Sequence, residues 1–491
     1  MKAGRDCSLR RLLPAFLWLI SGLWVAVPIA RAEDSHTPLQ PVDCPGTLAK
    51  SEQAACFILH VPADWGDLSH RSRELPVMRF APLGKEATKS PLLVLGGGPG
   101  QSVIKLAGPI AENLKPFRQN RELILMDQRG TGPLSGQVQC EDAVGDDEQI
   151  SIDRVAECVK AAEADAYFLS DYSTDFAVQD YRALRYSLKI DKWAIFASSY
   201  GGRVAQGLVR EDEKGIDRIL FNGPLFVATR FFDWNPFELV QQAIELCNEQ
   251  EDCRSTYPDL YWDFQRLPFD IRKAKMPKDS FPADLQAYLY RNRLQAMLAS
   301  HKLRAVPADI TKTALSVQQA LEQDIEWIAP SPLPQSMKGI GLLMHFAIIC
   351  AEDIAPLADK SLSELDQPLQ MAFYRNVCDR ISKETSHTVK LKKGWQKASK
   401  TKKPVLMLNG QYDTIVNPQS AFETLKLYAN GALITVPFAG HDVVSQISCA
   451  RDIATKFLDG TAATKLDNTC VGDGNVAFFG PSEKWLETEA H

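Results

Sequence analysis

The stretch Phe196-Ala197-Ser198-Ser199-Tyr200-Gly201-Gly202-Arg203 sets two adjacent serines between an apolar run and a glycine pair. A serine hydroxyl becomes a nucleophile when a base takes its proton and a carboxylate orients that base. On a strand–turn–helix elbow the turn is so tight that the residues two before and two after the nucleophile must be small. For Ser199 these are Ala197 and Gly201, whereas for Ser198 they are Phe196 and Tyr200. Ser199 is therefore the candidate nucleophile. Its partners must come later in the chain, acid before histidine, each on a loop after a later strand. Asn409-Gly410-Gln411-Tyr412-Asp413 follows the apolar run Val405–Leu408, and Pro437-Phe438-Ala439-Gly440-His441-Asp442 follows Leu433–Val436. Asp413 and His441 occupy those two places. Asp442 is a weaker rival acid, because neighbouring loop side chains rarely face each other. A turn Asp or a lone His alone reads as structural; the ordered set of three points to acyl transfer.

Such chemistry also needs donors for a developing oxyanion. Leu92–Leu95 runs into Gly96-Gly97-Gly98-Pro99-Gly100, where the absence of side chains lets backbone N–H groups approach a substrate carbonyl. Gly97 or Gly98, with the amide of Tyr200, are the expected donors. A phosphate-binding loop is the rival reading, but the lysine of a P-loop and the spacing of a dinucleotide fingerprint are both missing.

These loops require strands to carry them. Leu92–Leu95, Leu123–Met126, Trp193–Ala197, Arg218–Phe221, Val405–Leu408 and Leu433–Val436 are short apolar runs of strand length. Between them Ala177, Tyr181, Leu184 and Leu188 form a helical stripe after a Ser-Thr-Asp start at 173–175. Strands separated by helices predict a doubly wound, mostly parallel sheet. From about Phe231 to Lys393 the alternation breaks and the chain turns helix-like and aromatic, with Trp234, Tyr257, Tyr261, Trp262, Phe264, Tyr288 and Trp327 expected mostly in its own core. The expected organisation is a first core segment 33–230, a helical cap 231–393, and a second core segment 394–491.

The 491 residues suffice for two or three such units, and 45% hydrophobic with 24% charged residues is an ordinary globular balance. Lys2, Arg5, Arg10 and Arg11 precede an apolar run from Leu12 to Ala30 that ends Ala30-Arg31-Ala32. That is the pattern of a secretory signal peptide over 1–32, with an uncleaved membrane anchor as the rival disfavoured by Pro14, Gly22 and Pro28. Its removal takes away five basic residues and Asp6, moving the formal charge from −6 to −10. The sequence predicts an exported protein, periplasmic or secreted, with no nucleic-acid partner and no stable membrane association after cleavage.

Of 11 cysteines, Cys7 leaves with the signal. The other ten form sequence-local couples: Cys44/Cys56, Cys140/Cys158, Cys247/Cys253, Cys350/Cys378 and Cys449/Cys470. An even count in an exported chain reads as a disulfide set, and nearest-neighbour pairing is the expectation from locality alone. Zinc is the rival, but there is no CxxC and no histidine at ligand spacing nearby. No metal or cofactor is implied.

Together GGGPG after a strand, DQRGTG at 127–132, SYGG at 199–202, the Asp413 loop and Gly440-His441 resemble the prolyl-aminopeptidase branch of the α/β-hydrolases. The likeness is greater to its secreted tripeptidyl-aminopeptidase-like members, whose C-terminal module the block Cys449–Cys470 is similar to. The resemblance implies an α/β-hydrolase fold with an inserted helical cap. It also implies a serine exopeptidase acting on peptide substrates with a free N-terminus. Departures are Gly96 where the prolyl enzymes carry His, Ala197 for Gly, and Pro133 after DQRGTG. Asp127 and Arg129 are expected as a buried pair bracing the turn. An exopeptidase must hold the substrate's ammonium, and an unpaired buried charge costs several kcal/mol. Glu352, then Asp353, in Ile349-Cys350-Ala351-Glu352-Asp353, are the expected acids. An esterase or lipase-like acyl hydrolase would use the same three residues, and a catalytically inactive ligand-binding fold is the third reading.

Overall fold

The structure, a computed structural model, describes residues 39–44, 54–132, 138, 140–145, 150–232, 234–278, 283–328, 330, 337, 339–361, 368–472 and 476–480. The expected signal segment 1–32, Pro133 and His491 lie outside these residues.

Within them the strands are β1 (Leu39–Val42), β2 (Ala54–Asp64), β3 (Asp67–Phe80), β4 (Leu92–Leu95), β5 (Leu123–Met126), β6 (Trp193–Ser198), β7 (Ile216–Asn222), β8 (Thr401–Gly410) and β9 (Tyr428–Val436). They form one sheet in the order β1-β2-β3-β5-β4-β6-β7-β8-β9. From β5 to β9 all pairings are parallel; β1, β2 and β3 add an antiparallel edge. The six apolar runs read from sequence all fall within strands of the parallel part. The antiparallel strands escape the same reading for a physical reason. β3 sets Arg73, Glu74 and Arg79 around the buried Leu75, Val77, Met78 and Phe80, and β2 and β3 carry Pro62 and Pro76, residues that argue against a strand.

The core helices are α1 (Ala107–Asn113), α2 (Ile152–Ala164), α3 (Thr174–Ser187) and α4 (Gly201–Asp212) before β7. Side chains on a strand alternate between faces. Leu93, Leu95, Ile124, Met126, Ile195 and Ala197 pack with Val178, Tyr181 and Leu184 of α3 and Val204 and Leu208 of α4. Their sequence neighbours Leu92, Val94, Leu123, Leu125, Ala194 and Phe196 pack on the other face. A sheet covered on both faces needs strands apolar at every position, and β4 and β5 are buried throughout. Each fully buried large aliphatic or Phe side chain contributes about 1.5–3 kcal/mol. The ends of the parallel strands are thereby a stiff platform for loops. Ser173 caps α3, its side chain accepting from the Phe176 N–H, which places the helix start where the Ser-Thr-Asp triplet predicts it.

Between β7 and β8 come α5 (Phe237–Glu249), α6 (Glu251–Thr256), α7 (Leu260–Lys273), α8 (Ala283–Ala299), α9 (Val306–Gln323), α10 (Leu342–Ile348), a π-helical turn (Ile349–Ile354) and α11 (Pro368–Ile381). Leu239, Ile244, Phe264, Leu267, Leu294, Met297, Ile310 and Val317 give α5–α9 a core that Tyr412 and Phe479 join, whereas α10 and α11 put Leu342, Phe346, Ile348, Val377 and Ile381 into the core of the sheet. Tyr257, Phe264 and Trp327 are buried in it as expected, but Tyr261 and Trp262 are not: at 48% and 67% exposure they stand on the surface of α7. After the insertion, α12 (Gln419–Leu425), α13 (Val443–Gln446) and α14 (Ser448–Leu458) complete the fold.

The structure contains all five cysteine pairs in their nearest-neighbour connectivity: Cys44–Cys56, Cys140–Cys158, Cys247–Cys253, Cys350–Cys378 and Cys449–Cys470. Such a set fits an oxidising, extracytoplasmic environment. Among the described residues no helix is long and apolar enough to cross a membrane.

Candidate active site

β6 ends at Ser198, and the chain then turns through Ser199 at φ 52°, a left-handed conformation that a serine adopts only under strain. The turn is fixed on both sides. The Ser199 N–H donates to Asn222 O at 3.1 Å, and its carbonyl accepts from Gly202 N at 2.9 Å and Leu225 N at 2.8 Å. Ala197 is fully buried, and a side chain at Gly201 would start 2.5 Å from the Leu95 carbonyl, so both flanks have room only for small residues. Ser198 faces elsewhere. Its Oγ accepts from Asn222 Nδ2 at 3.3 Å, and the same amide nitrogen donates to Asp442 Oδ1 at 2.6 Å. Asp442 also caps α13 through the Ser445 N–H. Among these contacts it does not meet the His441 ring.

Asp413 does. Its Oδ1 accepts from the N–H groups of Ile415 at 2.9 Å and Val416 at 3.0 Å, which aims Oδ2 at His441 Nδ1, 2.7 Å away. With Nδ1–H donating to the carboxylate, Nε2 carries the free lone pair of a base. Asp413 is 1% exposed and the His441 side chain 19%. Burial pulls the imidazole pKa down, but the charge and hydrogen bond of Asp413 more than offset it, and the net shift is upward. The pair stands against Gly223, the first residue after β7, where a Cβ would lie 2.9 Å from His441 Nδ1 and 3.1 Å from Asp413 Oδ2. Gly223, at φ 50°, is therefore a glycine on two counts. It is bonded to β8 through Leu408 O and lies two residues before Leu225, which binds Ser199. The acid and the histidine thus meet against Gly223, and the serine turn is bonded to the nearby Asn222 and Leu225.

The Gly96–Gly100 loop leaves β4 beside the elbow; a Cβ on Gly97 would lie 3.1 Å from Ser199 Cβ. Gly98 is at φ 103° and joined to Pro99 by a cis peptide. The Gly97 N–H points to Gln101 Oε1 at 3.3 Å, a long bond that a substrate oxygen can replace. Tyr200 opens α4, and amides in the first turn of a helix have no acceptor within it. A strained serine, an imidazole oriented by a carboxylate, and these amides can together support nucleophilic acyl transfer.

Asp127 and Arg129 are each buried but are not a pair. Asp127 accepts from Ser102 Oγ at 2.8 Å and Ile104 N at 3.0 Å, and burial pushes its pKa up to about 7. Arg129 instead makes a two-pronged bond to Asp180 at 2.7 and 2.6 Å and donates to the carbonyls of Ala63 and Asp171. In a tight loop, alternate residues point to opposite sides. One braces the segment that follows the Gly96–Gly100 loop, and the other locks α3 to β2.

Glu352 and Asp353 lie in the π-helical turn, 1% and 0% exposed. Asp353 takes both forks of Arg203, at 2.7 and 2.9 Å, and the Phe231 N–H. Glu352 accepts from Thr174 N at 3.2 Å, Thr174 Oγ1 at 2.9 Å and Arg203 at 3.3 Å. Thr174 Oγ1 is in turn 2.8 Å from Tyr200 Oη, so one hydroxyl separates Glu352 from the residue after the elbow serine. Two carboxylates share one guanidinium. Burial raises the Glu352 pKa, with Arg203 opposing.

Several residues around the site carry no sequence signal strong enough to find them: Gly223, Gln101 and Arg203. A glycine directly after a strand end was the only available hint. Among the described residues no cluster of three or more metal-ligating side chains occurs.

No curated protein sequence matches the chain. Its structure is similar to solved α/β-hydrolase structures at low identity. One is a serine hydrolase from the polyaromatic-hydrocarbon-degrading bacterium Cycloclasticus zankles, 12% identical, covering 82% of this chain and 98% of that one, TM-score 0.38. Another is a proline iminopeptidase from Mycobacterium smegmatis, 15% identical, covering 82% and 97%, TM-score 0.36. A third is a thermophilic esterase from Thermogutta terrifontis, 14% identical, covering 80% and 95%, TM-score 0.33. Residues 90–446 match the alpha/beta hydrolase fold family. That span runs from β4 through the elbow and the insertion to α13, and with it the chain belongs to the α/β-hydrolases.

Proposed function

We propose that the protein is an exported serine exopeptidase that releases proline or a short peptide from the free N-terminus of peptides through an acyl-enzyme. Ser199 Oγ attacks the scissile carbonyl carbon while His441 Nε2 accepts its proton. Asp413 holds the imidazole in the Nδ1–H tautomer, and Gly97 or Gly98 with Tyr200 donates to the oxyanion. As the tetrahedral species collapses, His441 returns the proton to the departing amine, and a water molecule then releases the acyl group by the same route. The observation that carries the hydrolase part is the 2.7 Å Asp413–His441 bond beside the strained Ser199.

The helical segment 231–393 acts as the cap, and its acids give the peptide preference. Glu352 and Asp353 face the single cation of Arg203, so a substrate ammonium would supply the second positive charge that two carboxylates call for, and each acid retains an unused lone pair. The signal-like segment and five disulfides support export.

One observation favours the ester-hydrolase alternative: both acids are fully buried and already bonded to Arg203. Parallel assays on an aminoacyl p-nitroanilide and p-nitrophenyl butyrate separate the readings. Glu352→Gln should weaken turnover of the free-amine substrate much more than that of the ester, and N-acetyl peptides should be poor substrates. Equal loss on both substrates, or efficient cleavage of acetylated peptides, excludes the ammonium role.

A further inference from the structure

Two imidazoles of the helical insertion touch the two loops on which the chemistry depends. His301 follows α8. Its Nδ1 lies 3.2 Å from Gly440 N and accepts that N–H, which puts the imidazole proton on Nε2, and Nε2 donates to the His441 carbonyl. The His441 N–H itself donates to Ala299 O at 2.9 Å. Three backbone groups around the candidate base are therefore gripped by residues 299–301. His301 holds φ 61°, a backbone region that Asn also tolerates.

His345 lies on α10, against the glycine loop. Its Nδ1 is 2.9 Å from the Pro99 carbonyl, which can only accept, so Nδ1 carries the proton and Nε2 accepts from the Tyr374 hydroxyl at 3.2 Å. Burial, against the pull of the Pro99 carbonyl, lowers the His345 pKa to about 4 and keeps this neutral form in place. Nearby, the Gly341 N–H donates to Gly100 O at 2.8 Å. The glycine loop is gripped by residues 341–345 as the histidine loop is gripped by 299–301.

We propose that His301 and His345 are positioning residues, one for the base loop and one for the oxyanion loop, so that the insertion is part of the catalytic apparatus as well as a selector of substrates. Apolar packing can keep a loop nearby, but only a directional bond from a locked tautomer fixes a carbonyl or amide in register with Ser199. Misplacing a reacting group by about 1 Å costs on the order of 100-fold in rate.

The proposal rests on Ser199 being the nucleophile but not on the peptide reading. Its test is the rate at which a fluorophosphonate labels Ser199 in the full-length mature protein, with kcat and KM for p-nitrophenyl butyrate. Thermal melts give the folded fraction, so rates are expressed per folded molecule. His345→Asn can place an amide N–H where Nδ1 sits and should label within about threefold of wild type. His345→Gln reaches the Tyr374 side instead and should lose about 10- to 100-fold in labelling rate and kcat, with KM little changed. His301→Leu should lose a similar factor, and His301→Asn, which keeps an acceptor for Gly440, should fall between. Wild-type labelling rates in folded His345→Gln and His301→Leu would overturn the proposal, as would an Asn variant as impaired as its non-mimicking partner. If wild type fails to label at Ser199, the serine-hydrolase reading and this one fall together. Intact labelling without peptide cleavage removes the peptide reading alone.

Discussion

Two carboxylate sites border the Ser199 elbow, and they are balanced in opposite ways. At the end of β8 one acid, Asp413, faces one imidazole that remains 19% exposed, so charge can appear there and be shared during turnover. In the π-helical turn two acids share the single guanidinium of Arg203, and all three are almost fully buried. The first site is poised to change protonation. The second sets two buried carboxyls against one cation, and burial works against ionising Glu352. The contrast indicates that activity should depend steeply on the first site and stability on the second.

The largest expected effect removes the chemistry outright. Ser199→Ala should lower kcat by at least about 10⁴-fold, while Ser198→Ala, on the Asn222 side, should stay close to wild type. Fluorophosphonate labelling followed by peptide mapping distinguishes the two serines, and a label on Ser198 would reverse the assignment.

Next, Asp413→Asn should cost about 10⁴-fold in kcat by leaving the imidazole tautomer unspecified. The His441 pKa is raised, and only neutral imidazole acts as base, so wild-type kcat/KM should be lost as pH falls through a value above the ordinary 6.5. In Asp413→Asn the acid limb should move to lower pH, since burial is then opposed only by the charge of Asp442. A pH–rate profile with an unmoved limb would show that Asp413 does not set the charge of His441.

Arg203→Met tests the other site. It leaves two buried acids without their cation and should destabilise the fold by about 3–5 kcal/mol. Denaturant titration at several pH values checks this, and the loss should shrink as pH falls and the acids take up protons. A variant as stable as wild type at neutral pH would refute the charge argument.

The smallest effect belongs to Glu352→Gln. Burial raises the Glu352 pKa, so the unfolded chain gives up its proton first, and wild-type stability falls as pH rises above the ordinary 4.5. Gln carries no such penalty. The melting temperature of Glu352→Gln relative to wild type should therefore increase with pH from that point, and a difference independent of pH would mean that the carboxyl is not strained by burial.

The parts of the fold that were legible in the sequence are those where burial imposes one residue type. β4, β5 and β6 are apolar on both faces and stand out as runs; β2 and β3 are half polar and carry prolines, so they do not. The elbow was legible because steric limits at Ala197 and Gly201 act on residues adjacent in sequence. The pairing of Asp413 with His441 was legible from chain order. What a buried charge finds as its partner was not: Asp127 meets Ser102, Arg129 meets Asp180, and Arg203 meets acids from the insertion. Those pairings are set by tertiary packing across long sequence separations. For the same reason nothing in the sequence marks His301, whose partners are backbone groups of the His441 loop, or His345, which meets the Pro99 carbonyl and the Tyr374 hydroxyl.

The sheet receives β8 and β9 only after the whole helical insertion has passed, and this bears on biosynthesis. A chain made from its amino end presents Ser199 long before its acid and its base exist. During that interval the serine is an ordinary alcohol, strained or not. On the proposed assignment the nascent chain is latent by chain order alone. It becomes competent only when the last two strands dock beside β7.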